Sequence, residues 1–220
     1  MMVLTPIAFA LVRIVRSQEP KPKDTSAEDV QAIRRGGLRE VARIRGDYVA
    51  NITTGSWGKY DLESLTAHSG DIVVGRPIDN KSSHLSSDGQ TITTWYRIKI
   101  VQTMKGKLQP GETLTVSLPG GKIIFEDGTS AEIRTPDFEG IQNDQEYVLF
   151  LNPKLRADGT FSLTGGGQGL FELNNESHRV KPHGHASDSV QKHKDEGVDF
   201  FLQEIKAAVK KYPDISACCN

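Results

Sequence analysis

Three kinds of hydrophobic pattern follow one another along the chain. Between about residues 25 and 50, Val30, Ile33, Leu38, Val41, Ile44 and Tyr48 recur at roughly helical spacing. Ser26 with Asp29 has the form of a capping box at the start. Gly36-Gly37 interrupts the stripe, which predicts two short helices or one kinked helix. From residue 61 the period changes. DLESLTAHSG reads as a short helical turn with Leu62 and Leu65 on one face. Beyond it lie segments of period two or of unbroken apolar character: Ile72 to Gly75, Thr91 to Val101, Thr113 to Leu118, Ile123 to Glu126, Ser130 to Arg134, Tyr147 to Leu151, Phe161 to Thr164 and Leu170 to Leu173. In the longest of these, Tyr96, Ile98 and Ile100 share one face and are expected to be buried. Trp95, Arg97 and Lys99 share the other, with the two cations exposed. The last pattern is helical again. Val198, Phe201, Leu202, Ile205, Ala208, Val209 and Tyr212 form one stripe, and Pro213 ends it.

The turn chemistry agrees with the middle region being antiparallel β. Asp88-Gly89, Asp127-Gly128 and Asp158-Gly159 each lie between two strand candidates, and glycine after aspartate supplies the positive φ that hairpin turns require. The strand YVLFL at 147–151 is apolar on both faces, so one face needs a cover other than its own sheet's interior. The C-terminal stripe is the natural cover, with Phe201, Leu202 and Ile205 expected to pack against that strand.

Composition narrows the picture. A chain of 220 residues accommodates one domain with appendages. Lysine plus arginine number 27 against 28 acidic residues, so there is no basic footprint for nucleic acid or an anionic membrane. The two cysteines, Cys218 and Cys219, are adjacent at the C-terminus and cannot staple distant segments to each other. Residues 1–17 begin with the apolar run MMVLTPIAFALV. It is the length of a signal-peptide core and too short to span a membrane, but no Lys or Arg precedes it. A signal peptide and a short apolar helix both fit. Residues 18–24 read as a linker, 25–60 as a helical preface and loop, 61–174 as a β-barrel, and 175–220 as a His-containing loop, packing helix and tail. Asn51-Ile52-Thr53 matches a glycosylation sequon, a pattern with little specificity.

Candidate chemistry is sparse. The chain has no nucleophile elbow, Walker A loop or H-E-x-x-H motif, and no cofactor is implied. The glycine cluster Gly165-Gly166-Gly167-Gln168-Gly169 is followed by a strand candidate and not by a helix, which favours a turn over a phosphate cradle. Four of the six histidines lie in 178–193, within a segment that reads as a mobile loop. His183 and His185 are the candidate metal pair there, although a solvated polar loop is the plainer account. Trp95 beside Arg97 and Lys99 is the candidate ligand-binding surface, the plainer account being a tryptophan covered by a helix.

The run SLTAHSGDIVVG (Ser64 to Gly75), the aromatic strand and Lys-Gly turn of WYRIKIVQTMKGKLQPGETLTV (Trp95 to Val116), Pro119-Gly120-Gly121, DQEYVLFL (Asp144 to Leu151) and GGGQGLFEL (Gly165 to Leu173) together resemble a pattern in small exported bacterial proteins. The resemblance covers roughly residues 61 to 173. It implies an OB-like antiparallel small barrel, of the tissue-inhibitor and netrin-like class but without that class's disulfides, and it carries no catalytic residues. The expectation is a non-catalytic, extracytoplasmic (periplasmic or secreted) binding or interaction module. Its partner would be a protein, peptide or glycan of the cell envelope, with no nucleic acid and no membrane span in the mature chain. The alternative is a divalent-metal-binding protein or metal-dependent enzyme using the His178 to His193 segment.

Overall fold

The computed structural model describes residues 26–51, 58–78, 81–135, 140–184 and 188–213. Residues 1–25, Ile52-Thr53 of the sequon, His185, Cys218 and Cys219 lie outside the described residues. In chain order the elements are α1 (Ala27–Arg45), β1 (Tyr48–Asn51), α2 (Leu62–His68), β2 (Asp71–Pro77), β3 (Ser82–Leu85), β4 (Ile92–Lys105), β5 (Thr113–Pro119), β6 (Gly121–Ile124), β7 (Ser130–Arg134), β8 (Glu146–Leu151), β9 (Leu170–Asn174), β10 (Arg179–Pro182), α3 (Asp188–Gln191) and α4 (Val198–Lys211). The fold is mainly β, with a curled antiparallel sheet and a few helices.

That sheet runs β10-β9-β8-β2-β4-β3, with β5 on the other side of β4. The segment 161–164 stitches its two sides together. Phe161 donates its N–H to Thr115 and its carbonyl accepts from Ser117, both at 2.9 Å, while Asn152 N–H reaches Ser162 and Thr164 N–H reaches Phe150. The expected strand Phe161 to Thr164 is therefore not a ladder strand. It makes one parallel bridge to β5 and one antiparallel bridge to β8. Backbone hydrogen bonds thus run around a ring of β2, β4, β5, this segment and β8. Inside it lie Tyr96, Ile98, Ile100, Val116, Tyr147, Leu149 and Leu151. The alternation along β4 holds: Ile98 is fully buried, and Arg97 and Lys99 are exposed.

Outside the ring, Val148 and Phe150 of β8 join Phe171 and Leu173 of β9, Leu62 and Leu65 of α2, and Phe201 and Ile205 of α4 in a second core, with Leu202 packed against it. The C-terminal helix therefore closes the core that covers the outer face of β8, with Phe201 seated on Phe171 of the neighbouring β9. Burying Phe201 and Ile205 contributes about 1.5–3 kcal/mol for each side chain. Lys211 and Tyr212 at its far end both hydrogen-bond Glu63 of α2.

A third core belongs to the preface. Leu38, Val41 and Ala42 of α1 pack on Tyr48, Ala131 and Ile133 of the small sheet β1-β7-β6. The Ser26–Asp29 capping box forms. A straight helix, rising about 1.5 Å per residue, would hold Asp29 and Arg45 about 24 Å apart. They are 3.0 Å apart as an ion pair, so the non-helical Gly37 folds α1 back on itself. Leu38 N–H, freed by that break, donates to the carbonyl of Gly89. Tyr48, assigned by its spacing to the helical stripe, lies instead in β1, which pairs in parallel with β7. The strand expected at Ile123 to Glu126 starts and ends earlier, because Phe125 N–H already closes the turn onto Thr129.

All three Asp-Gly pairs occupy turns, and each uses the aspartate in the same way. Asp88 accepts from Gln90 N–H, Asp127 from the N–H and hydroxyl of Thr129, and Asp158 from the N–H and hydroxyl of Thr160. Hydrogen bonds from Thr129 and Thr160 hold the carboxyls of Asp127 and Asp158 below the ordinary range. The SGD and Lys-Gly motifs also meet in space. Asp71 accepts from Lys107 and Leu108 N–H, and a Cβ at Gly106, where φ is 95°, would collide with that carboxylate.

Candidate functional site

The sequence candidates divide into an outer face of the barrel and a buried histidine, His183, and the structure adds a second buried histidine, His193. On the outer face Trp95 is half-buried. Its cover is not a helix. His84 of β3 lies flat on the indole, with ring centroids 3.8 Å apart at 25°. Ser82, opposite Trp95 in the ladder, fixes that imidazole through a 2.9 Å contact with Nε2. One aromatic face is thus already used within the chain, and the indole N–H is buried with no acceptor among the described residues. Next along the same face come Arg97 and Lys99. Arg76 pairs with Lys99 from β2, and Thr115 and Thr113 flank the two cations from β5. Arg76 donates to Glu146 at 2.6 Å. The face is a short cationic strip ending at an aromatic pair.

His183 is not in a solvated loop. The segment that reads as one forms β10, whose Val180 and Pro182 are buried. Leu170 accepts from His183 N–H, which draws the ring inward. The imidazole is enclosed, 1% exposed, with Nε2 3.4 Å from Glu172 Oε2 and the ring 5.8 Å from that of Tyr147. Burial, reinforced by the Glu172 charge, pushes the Tyr147 hydroxyl well above its ordinary range, and that hydroxyl accepts from Gln142 N–H. His183 faces a carboxylate inside the protein, and its proposed companion His185 lies outside the described residues.

The second buried histidine is one that sequence reasoning did not single out as a ligand. The turn after α3 places it. His193 N–H bonds back to Val190, Asp195 adopts a left-handed φ of 62°, and Val180 N–H takes the carbonyl of Glu196. This fastens the segment alongside β10 and turns Glu196 towards His193. The His193 ring rests among Phe171 and Phe201, with centroids 6.3 and 5.2 Å away. Its Nδ1 is 2.7 Å from Glu196 Oε2 and 3.4 Å from Glu204 Oε2, which comes from α4. The only sequence trace was the three-residue spacing of His193 and Glu196. Glu204 reads as a solvated helix glutamate until α4 brings it to His193 in the turn after α3. Between α2 and α4 a groove of about 460 Å³ opens onto His193 and Glu204.

No helix among the described residues is long and apolar enough to cross a membrane. No protein-family model matches the chain, and no curated protein does.

Proposed function

We propose that this protein is a non-catalytic binding module that works outside the cytoplasm, built on an OB-type barrel and presenting the β3–β4–β5 face to a partner carrying negative charge. The observation that carries the reading is the cationic strip of Arg97 and Lys99 beside the Trp95–His84 stack. In a chain of net charge −1 such a strip is a local feature, not a consequence of overall basicity. Cations beside a half-buried aromatic suit an anionic group with an apolar body, such as an acidic peptide segment or a charged glycan. The ring of β2, β4, β5, 161–164 and β8 supports the OB-type assignment, since a partly open five-membered Greek-key barrel is that fold's plan. Its interior is filled by side chains, which leaves the outer faces and grooves as the places for a ligand.

The test uses two matched baits, the wild-type chain and Arg97→Glu/Lys99→Glu, against a cell-envelope extract at low and moderate salt. A partner retained by the wild type, weakened by salt and lost by the charge-reversed variant is the expected result. Identical captured sets from both baits would overturn the assignment of this face.

A further inference from the structure

His193, Glu196 and Glu204 bring one imidazole and two carboxylates to a common point, with ligand atoms all within 4.8 Å of one another. The proton count does not close. A neutral imidazole has one N–H to give at Nδ1, and Glu196 at 2.7 Å takes it. Glu204, whose side chain is 38% exposed overall, turns its Oε2 inward, where that oxygen has almost no accessible surface and no hydrogen-bond donor. Among the described residues no lysine or arginine ion-pairs with either glutamate. Buried polar atoms are nearly always partnered, so an orphan oxygen aimed at an imidazole nitrogen marks a place for something else. From the geometry we infer that this is a site for a divalent transition-metal ion, of which Zn²⁺ is the best match.

The separations suit it. Atoms each about 2.0–2.2 Å from a zinc ion stand roughly 3–3.5 Å apart in a tetrahedron. The Nδ1 to Glu204 distance of 3.4 Å already has that value, and the shorter contact to Glu196 is the one the metal would lengthen by replacing the proton. One nitrogen with two carboxylates selects a borderline ion over Mg²⁺, which prefers an all-oxygen octahedron. Three protein ligands leave a fourth position, and the α2–α4 groove gives it access to water. Nε2 of His193 has no acceptor among the described residues, so the outer support that strengthens many metal sites is missing here. The expected affinity is therefore about micromolar. This inference is independent of the partner-binding face, which lies on different strands.

The probe is Zn²⁺ alone, titrated into the full chain carrying Cys218→Ser and Cys219→Ser so that the tail thiols cannot compete. Calorimetry should give one equivalent of Zn²⁺, with a rise in melting temperature that EDTA reverses and Mg²⁺ does not reproduce. Glu204→Gln should bind Zn²⁺ at least about tenfold more weakly while keeping its melting temperature in EDTA. Glu196→Gln should weaken binding in the same way. Absence of any Zn²⁺ response at about 100-fold above the expected constant would overturn the inference. So would undiminished binding by both glutamine variants, which would put the ion on other histidines.

Discussion

His183 and His193 are both buried in the same half of the molecule, and both face glutamates, yet the two surroundings differ in number. His183 meets one carboxylate, Glu172, beside a tyrosine. His193 meets two, with two phenylalanines behind it. At His183 the Glu172 oxygen stands 3.4 Å from Nε2 without a hydrogen bond between them, whereas at His193 Glu196 bonds Nδ1 at 2.7 Å and the inward Oε2 of Glu204 is left without a donor. Burial and residue type would class the two histidines together, while the number of carboxylates within reach separates a histidine with one acidic neighbour from a set that can hold an added ion.

The largest test removes the wall behind His193. Phe201→Ala should cost about 3–5 kcal/mol in urea unfolding, because the ring is fully buried against Phe171 at 4.8 Å and anchors α4 to β9. A loss below about 1 kcal/mol would mean that α4 contributes little to the second core. The next test sets the two sites against each other in the presence of a chelator. Glu172→Ala removes the buried carboxylate that faces His183 and should cost about 1–3 kcal/mol. Glu204→Gln should change stability by no more than about 0.5 kcal/mol, since Glu196 keeps the imidazole proton. Equal losses would erase the distinction. The smallest effect is in the pH profile and belongs to the His183 side. The Tyr147 hydroxyl is raised by burial, so the unfolded chain releases this proton from about pH 10 while the folded chain holds it. Its contribution to stability is complete below about pH 10 and is lost as pH rises beyond. Tyr147→Phe should make that alkaline decline shallower in chemical unfolding between about pH 9 and 12, and an unchanged slope would exclude the hydroxyl as its source.

Local signals were legible wherever local forces decide. The alternation along Thr91 to Val101, the Asp-Gly turns, the Ser26–Asp29 capping box and the stripe from Val198 to Tyr212 are all visible in the residues and all present in the fold. What escaped depends on distant partners. Tyr48 continues a helical spacing but is claimed by β7, and RVKP reads as loop until β9 offers it a ladder. Asp71 reads as a polar strand start, though its carboxylate fastens the turn at Lys107 and Leu108. The site residues were the least legible. Nothing near Glu204 in the sequence says that it will meet His193, and the more conspicuous His183 turned inward to a single glutamate. The Trp95 face was recognised as aromatic and cationic, but the covering ring came from His84, an unremarked residue of a four-residue strand.

The parallel pairing of β1 with β7 also has a consequence for synthesis. Tyr48 leaves the ribosome about 80 residues before Ala131, its ladder partner, which at about 5–20 residues per second is a delay of roughly 4–16 s. Throughout that interval Leu38, Val41 and Tyr48 have no sheet to pack on. The emerging α1–β1 segment is therefore a stretch on which a chaperone would act, and a substitution that delays the β6–β7 hairpin would show as aggregation of nascent chains.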